Sequence, residues 1–374
     1  MQVLEPKKYD CVIWGGYARG NTGDELCLAA ACQRARREFG PVVVILSGDP
    51  EYTAWLFPNV MVVPCVLRDH KRSKRRRNFW QKWVRGLAEF KKDPSASQMD
   101  AKAEWKACLG SARRLYLAGG GYLTDLWSLD LILPPLELAM QLKLPISTAP
   151  IGIGPFKSGA AADRVAKALD GAELKVRDRV SHDFCRARGL PAVLEPDDAF
   201  GLDWLPAKNV GPTRSADGGP RSIGVCIFEQ YGQDANVDLS CWWTEFLRGL
   251  QRQHPEHMIR GFCFHTSPEA EFRQMVRLFG RAGLPVDRVL APHLDFRQAV
   301  AGIRGYDFII STRFHAVVAA NVMGISNIAV ATGDYYRAKM DSAVGGHQHL
   351  STLVDPVRSD PGTVLEICKG KLRI

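Results

Sequence analysis

Along this chain, short apolar runs alternate with longer segments whose apolar residues recur at helical spacing. Asp10–Trp14 is the first such run, too short for a helix and suited to a buried strand. It leads into a loop with Gly15, Gly16 and Gly20, where the backbone can come close to a ligand. Asn21-Thr22-Gly23-Asp24-Glu25 then opens a helix whose Leu26, Ala29, Ala30 and Cys32 form a packing face, and the helix stops at Gly40. Val42–Leu46 is the next strand. Arg114–Gly121 predicts a strand that ends in three glycines, a sign of close approach to a ligand or to another loop. Leu129–Leu142 predicts a helix with Pro134-Pro135 in its first turn or breaking it. Pro145–Ala149 is a strand, followed by the turn-rich Pro150-Ile151-Gly152-Ile153-Gly154-Pro155. Ala160–Leu169 is helical, Leu174–Arg179 is a short strand, and Ser181 is placed to cap a helix that ends at Gly189.

The same rhythm restarts after residues 206–220, a stretch dense in Pro, Gly and Ser. Ser222–Phe228 and Met258–Phe264 predict strands, separated by a helix from about Leu239 to Gln253. Pro268–Gly280 reads as a helix, Val286–Leu290 as a short strand and Phe296–Arg304 as a helix. Phe308-Ile309-Ile310 is a buried strand, and Ser311 or Thr312 can cap the helix that begins near Arg313. Gly324 can end that helix, and Asn327–Ala331 is the following strand. Gly333 then opens a loop carrying Tyr335, Tyr336, Arg337 and Lys339. Past Gly345 the tail is polar, and a helix over Pro361–Lys369 is expected to pack back on the first half.

Strands alternating with helices in both halves predict an α/β fold of two doubly wound, Rossmann-like domains facing a cleft. The boundaries are residues 1–205, a linker over 206–220, residues 221–345, and the tail 346–374. Neither a G-x-G-x-x-G fingerprint nor a Walker loop is present, so the first glycine loop alone names no ligand.

Composition changes this picture in three places. No run approaches the ~20 apolar residues of a membrane span, and the first ten residues hold no signal-peptide core, so a cytoplasmic protein is expected. The ten cysteines include no C-x-x-C pair, which favours reduced, buried thiols over a zinc framework, and no metal site is expected. The net charge of +9 favours anionic partners, and much of the excess falls in Arg68–Arg85. There, Phe79, Trp80 and Trp83 interleave with bases within a polar insertion over 68–106. That stretch can rest peripherally on an anionic membrane, bind nucleic acid, or be a solvated insertion.

The candidate chemistry lies at strand ends, where open α/β sheets bind ligands. Arg313 and His315 stand at the mouth of a helix whose free N–H groups favour an anion. Lys339, past the next strand, can add a second positive charge, and Arg177 with Asp178 arrives at the same edge. Each also has a structural reading: His315 packed under its helix, Arg313 tied to a loop, Lys339 solvated, and Arg177 paired with Asp178. Asp24 can orient or deprotonate a hydroxyl, or simply bond the loop at the helix start.

In order along the chain stand Asn21-x-Gly23-Asp24-Glu25, Gly119-Gly120-Gly121, Gly152-Ile153-Gly154-Pro155, Val176-Arg177-Asp178 and Ser311-x-Arg313-x-His315. As an ordered set they resemble the polysaccharide pyruvyl transferase family, from about Asp10 to Ala343. The resemblance implies a GT-B-like two-domain fold. It also implies transfer of pyruvate from phosphoenolpyruvate to a pair of sugar hydroxyls, forming a cyclic ketal. Phosphoenolpyruvate is then a co-substrate, and no cofactor is implied. Donor binding would fall to Arg313, His315 and Lys339, with Arg177 as an addition. His315 is the candidate acid and Asp24 the candidate partner of the acceptor hydroxyl. Gly16, Asn21, Gly120 and Gly121 would line the cleft on the acceptor side. The acceptor is a saccharide, free, polymeric or lipid-linked, and a homo-oligomer is left open. A nucleotide-sugar-dependent glycosyltransferase on the same fold is the alternative, and a binding module recruited by the basic stripe is a third reading. Alanine at Arg313 or His315 is expected to abolish turnover with the fold intact.

Overall fold

The computed structural model describes residues 7–65, 96–203, 205, 221–228, 238–266 and 271–372, with side chains in the helix at 96–110 described from residue 103. The linker over 206–220 and the basic stripe at 68–85 lie outside the described residues.

The first half contributes strands β1 (Cys11–Trp14), β2 (Val43–Ser47), β3 (Met61–Pro64), β4 (Leu115–Leu117), β5 (Gly120–Leu123), β6 (Ile146–Thr148), β7 (Ile151–Ile153), β8 (Leu174–Val176) and β9 (Ala192–Leu194). Between them run helices α1 (Thr22–Glu38), α2 (Pro50–Leu56), α3 (Ala96–Gly110), α4 (Pro134–Gln141), α5 (Gly159–Ala168) and α6 (Arg179–Ala187). The second half holds β10 (Arg221–Cys226), β11 (His257–Gly261), β12 (Phe308–Ser311), β13 (Ser326–Val330) and β14 (Ser351–Val354). Its helices are α7 (Ser240–Gln253), α8 (Phe272–Ala282), α9 (Phe296–Ile303), α10 (Phe314–Val322), α11 (Asp334–Val344) and α12 (Pro361–Leu372).

Among the described residues the named strands pair in parallel, which fits strands that read as continuous apolar runs covered by helices on both faces. The first sheet has the order β3-β2-β1-β4-β6, and the sheet of the second half β11-β10-β12-β13-β14. In the first, the strand order reverses direction between β1 and β4; in the second, between β10 and β12. Those reversals are where an open α/β sheet leaves a crevice at its carboxyl edge. The glycine loop after β1, the glycines after β4 and Arg313 after β12 all stand there.

The first half is more divided than periodicity predicts. β4 and β6 stop after three residues, and the chain resumes as β5 and β7 in a separate sheet, β5-β7-β8-β9. Gly120 has φ +132°, a backbone open to glycine alone, so the run Arg114–Gly121 cannot continue as one strand.

Several local expectations give way to tertiary contacts. Asp178, not Ser181, caps α6 by accepting from the Ser181 amide at 2.8 Å. Neither Ser311 nor Thr312 caps α10. Arg313 holds the cap position, Ser311 Oγ accepts from the Arg313 amide, and Thr312 Oγ1 accepts from the Phe228 amide. Val286–Arg288 is a single 3₁₀ turn rather than a strand. Lys339 rides on helix α11 rather than a loop. The tail adds strand β14 to the second sheet, and α12 packs on α7, where Leu365 lies against Gly249, rather than on the first half.

The two halves share a core. Cys11 and Ile13 of β1 and Leu26 and Leu28 of α1 lie in one apolar cluster with Phe296, Phe314, Val317 and Val318. Backbone bonds close the seam: Thr22 N donates to Phe264 O at 2.9 Å, and Thr266 N donates to Gly20 O at 2.7 Å. Among the described residues, no helix is long and apolar enough to cross a membrane.

Candidate active site

The site assembles from strand ends and helix starts. β8 delivers Arg177, which is 3% exposed. Its Nη1 donates to Asp197 Oδ2 at 2.8 Å, and its guanidinium lies 4.7 Å from the ring centre of Phe314 at the start of α10. Asp197 begins the 3₁₀ turn Asp198–Gly201 and accepts from the Ala199 amide at 3.0 Å. Its second partner comes from the other half: His315 Nε2 stands 3.5 Å from Asp197 Oδ2 and 3.2 Å from Cys27 Sγ. On its other side the His315 ring rests on Gly23, where any Cβ would fall 2.8 Å from ring Cγ and nearer still to Nδ1. His315 is therefore 8% exposed and seated between the halves, with both ring nitrogens facing protein atoms.

Burial by itself would raise the Asp197 carboxyl, but His315 and Arg177 outweigh it and hold it well below the usual carboxylate range. Burial lowers the basicity of the Arg177 guanidinium, yet Asp197 more than offsets this and keeps it charged. Burial pushes the Cys27 thiol well up, and Asp197 adds to the effect. Cys27, Asp197 and His315 have ligand-type atoms within 4.8 Å of one another. With Asp197 already engaged by Arg177 and the thiol kept protonated, the set is a hydrogen-bonded cluster across the seam rather than an open metal site.

Arg313 is also engaged. Its Nε meets Oε1 of Glu271, a carboxylate 0% exposed whose other oxygen accepts from the Phe264 amide at 2.6 Å. Its guanidinium covers the ring of Phe228 at 4.3 Å. A buried carboxylate loses its countercharge if Arg313 is truncated, so alanine there disturbs the fold as well as the site. This corrects the expectation that the fold persists in that variant.

The unspent donors converge at Gly121. A Cβ on that glycine would lie 3.2 Å from Arg177 Nη2, 3.5 Å from Tyr335 Oη and 3.8 Å from Lys339 Nζ. Arg177 Nε is buried with no hydrogen-bond partner, and among the described residues neither Tyr335 Oη nor Lys339 Nζ makes a hydrogen bond or ion pair. The half-buried Lys339 ammonium sits 5.6 Å from the Phe314 ring centre. Burial, with Arg177 and Arg313 acting the same way, lowers its pKa to about 8, against an opposing pull from Asp24 and Asp178. Burial also raises the Tyr335 phenol, so it remains a donor.

The remaining residues singled out in the sequence divide. Asn21 caps α1 by accepting from the Gly23 amide, and it donates to Asp24 Oδ2 at 2.8 Å. Asp24 faces Gly120, at 3.7 Å from where its Cβ would stand. Gly16 packs beneath the Tyr122 ring instead of lining open space. Sequence reasoning missed Asp197, Glu271 and Cys27 and assigned no role to Tyr335. Cys27 lies one turn from Asp24 and Tyr335 one turn from Lys339, so those two stood near residues already suspected, whereas Asp197 and Glu271 carried no such signal.

A family model for polysaccharide pyruvyl transferases matches residues 21–335, from the cap of α1 to the first turn of α11. No curated protein matches the chain in sequence. Solved structures match in fold. One is the Anabaena protein HepE in complex with UDP and glucose, at TM-score 0.56 and 11% identity over 97% of this chain and 89% of that one. Another is a UDP-GlcNAc 2-epimerase from Neisseria meningitidis bound to UDP-GlcNAc, at 0.53 and 10% over 97% and 91%. A third is a glycosyltransferase from Rickettsia africae, at 0.56 and 10% over 98% and 89%. The architecture is that of the GT-B enzymes. A match over that length, on this fold, means that the chain belongs to the polysaccharide pyruvyl transferase family and is a transferase.

Proposed function

We propose that the protein transfers a pyruvyl group from phosphoenolpyruvate to two hydroxyls of a saccharide, as a cyclic ketal. The observation that carries this reading is the convergence of Arg177, Tyr335 and Lys339 on Gly121, where Arg177 Nε, Tyr335 Oη and Lys339 Nζ meet no acceptor among the described residues. Phosphoenolpyruvate carries a phosphate and a carboxylate. A guanidinium, an ammonium and a phenol hydroxyl around a bare glycine suit such a ligand. Arg313, anchored by Glu271, stands at the helix mouth as a further positive charge.

In the reaction, a proton is added to the methylene carbon, the first sugar hydroxyl attacks C2, and the C2–O bond to phosphate breaks. The second hydroxyl then closes the ring. The two hydroxyl protons are released, one restoring the acid and one leaving with phosphate. His315 is the acid by residue type, held in place by Asp197 and Gly23. Lys339, lowered to about 8 and without a carboxylate partner among the described residues, is the second acid that the geometry offers. Asp24, beside Gly120, is placed to orient the acceptor.

Incubating the purified protein with phosphoenolpyruvate and a glycan extract tests the reading. Phosphate release coupled to a pyruvyl mass increment on a glycan supports it. Turnover that requires a nucleotide sugar and ignores phosphoenolpyruvate replaces it with the glycosyltransferase alternative.

A further inference from the structure

A second group of chemically active side chains lies at the opposite edge of the second sheet, away from the cleft. Arg221 and His257 are paired residues at the amino-terminal ends of β10 and β11. The turn that leads from α7 into β11 is His254-Pro255-Glu256-His257, closed by His257 N donating to His254 O at 3.0 Å. It holds two histidines inside, 5% and 3% exposed, with the Glu256 carboxylate reaching over them from the surface. One ligand-type atom from each of the three lies within 4.8 Å of the others.

The Glu256 carboxylate makes an ion-pair contact with the nearer ring. Glu256 Oε1 is 2.8 Å from His257 Nδ1 and 3.9 Å from His254 Nδ1. That contact engages Nδ1 of His257, while its Nε2 is buried and makes no hydrogen bond. A buried imidazole nitrogen left unspent is costly and asks for a partner. A cavity of about 400 Å³ opens on the three residues, with Arg221 and Lys369 also in its lining.

We propose that His254, Glu256 and His257 form a binding site for a divalent transition-metal ion of the zinc type, independent of the pyruvyl transfer site. Two imidazoles and one carboxylate are the ligand set that such an ion prefers, whereas calcium and magnesium favour all-oxygen sites. The fourth position opens into the cavity, where Arg221 and Lys369 favour an anionic ligand on the metal. Bound there, the ion ties the end of α7 to the start of β11 and stabilises the folded chain.

The test is titration of the full chain, stripped with a chelator, with zinc alone, by calorimetry and by thermal unfolding. The natural chain is expected to bind one equivalent of zinc more tightly than the Glu256→Gln and His257→Gln chains do, and to show a rise in Tm that is smaller in both variants. Glu256→Gln changes an exposed side chain, so it keeps the comparison valid if His257→Gln folds poorly. Loss of the carboxylate should weaken the affinity by about tenfold or more. Zinc bound elsewhere contributes equally to all the chains and cancels. Equal stoichiometry and affinity in the natural and Glu256→Gln chains would overturn the proposal. So would a Tm that responds to inorganic phosphate and not to zinc, which would make the cavity an anion site.

Discussion

Lys339 offers the most direct measurement of the donor site. Its ammonium has a pKa lowered to about 8, chiefly by burial. If the charged form alone grips the donor, the apparent Kd for phosphoenolpyruvate follows the charged fraction. That fraction drops about tenfold from about pH 7 to about pH 9, equal to roughly 1.4 kcal/mol of binding free energy. The window lies above the second ionisation of a phosphate group, at about 6, so the ligand's charge stays constant. Glu25, raised to about 8 by burial, and Asp198, raised to about 7 by burial, titrate in the same range, so a control is required. Lys339→Met supplies it: affinity at neutral pH falls, and the remaining pH dependence is that of the other groups. Calorimetric titration at fixed ionic strength reads both chains. A natural chain whose affinity is level across the window, or a Lys339→Met chain with the same slope, would refute the assignment of Lys339 to the donor.

Gly23→Ala places a methyl 2.8 Å from Cγ of His315, so the ring must move by about an ångström, and turnover should fall about 100-fold. Helix propensity improves by up to about 1 kcal/mol while crowding the buried ring costs about 1–3 kcal/mol, so unfolding by denaturant should show a modest net loss of stability beside that loss of rate. Arg313→Ala strands the fully buried Glu271 and should cost about 3–5 kcal/mol in chemical denaturation, while Arg313→Ala with Glu271→Gln recovers most of the stability and none of the donor affinity. Glu25→Gln addresses a carboxyl raised from 4.5 to about 8, with one oxygen accepting from the Ala18 amide and the other without a partner. The folded state keeps that proton, so the stability Glu25 contributes is complete below about pH 4.5 and is lost as pH rises through about 8. The variant should therefore gain on the natural chain by up to roughly 5 kcal/mol by the alkaline end, and an unchanged difference across that range would contradict the raised pKa.

The parts of this protein legible in its sequence are those written in local pattern. Each parallel strand carries its own apolar run, so Asp10–Trp14, Val42–Leu46 and Phe308–Ile310 stood out without any knowledge of their neighbours. Polar residues directly after such runs mark a sheet edge, which is how Arg177, Arg313 and His315 could be singled out. Helix α11 was not legible, because Asp334-Tyr335-Tyr336-Arg337 follows a glycine and only burial of Met340, Ala343 and Val344 against the second half reveals its inner face. The division of the first half into two sheets was equally hidden, since it depends on which strands β5 and β7 meet. The state of each site cation was decided by tertiary structure alone. Glu271 meets Arg313, and Asp197 meets both Arg177 and His315, only once remote strands lie side by side. A buried charge must be compensated, but sequence carries no record of which distant carboxylate does so, and that choice leaves Lys339, Tyr335 and one edge of Arg177 available around Gly121.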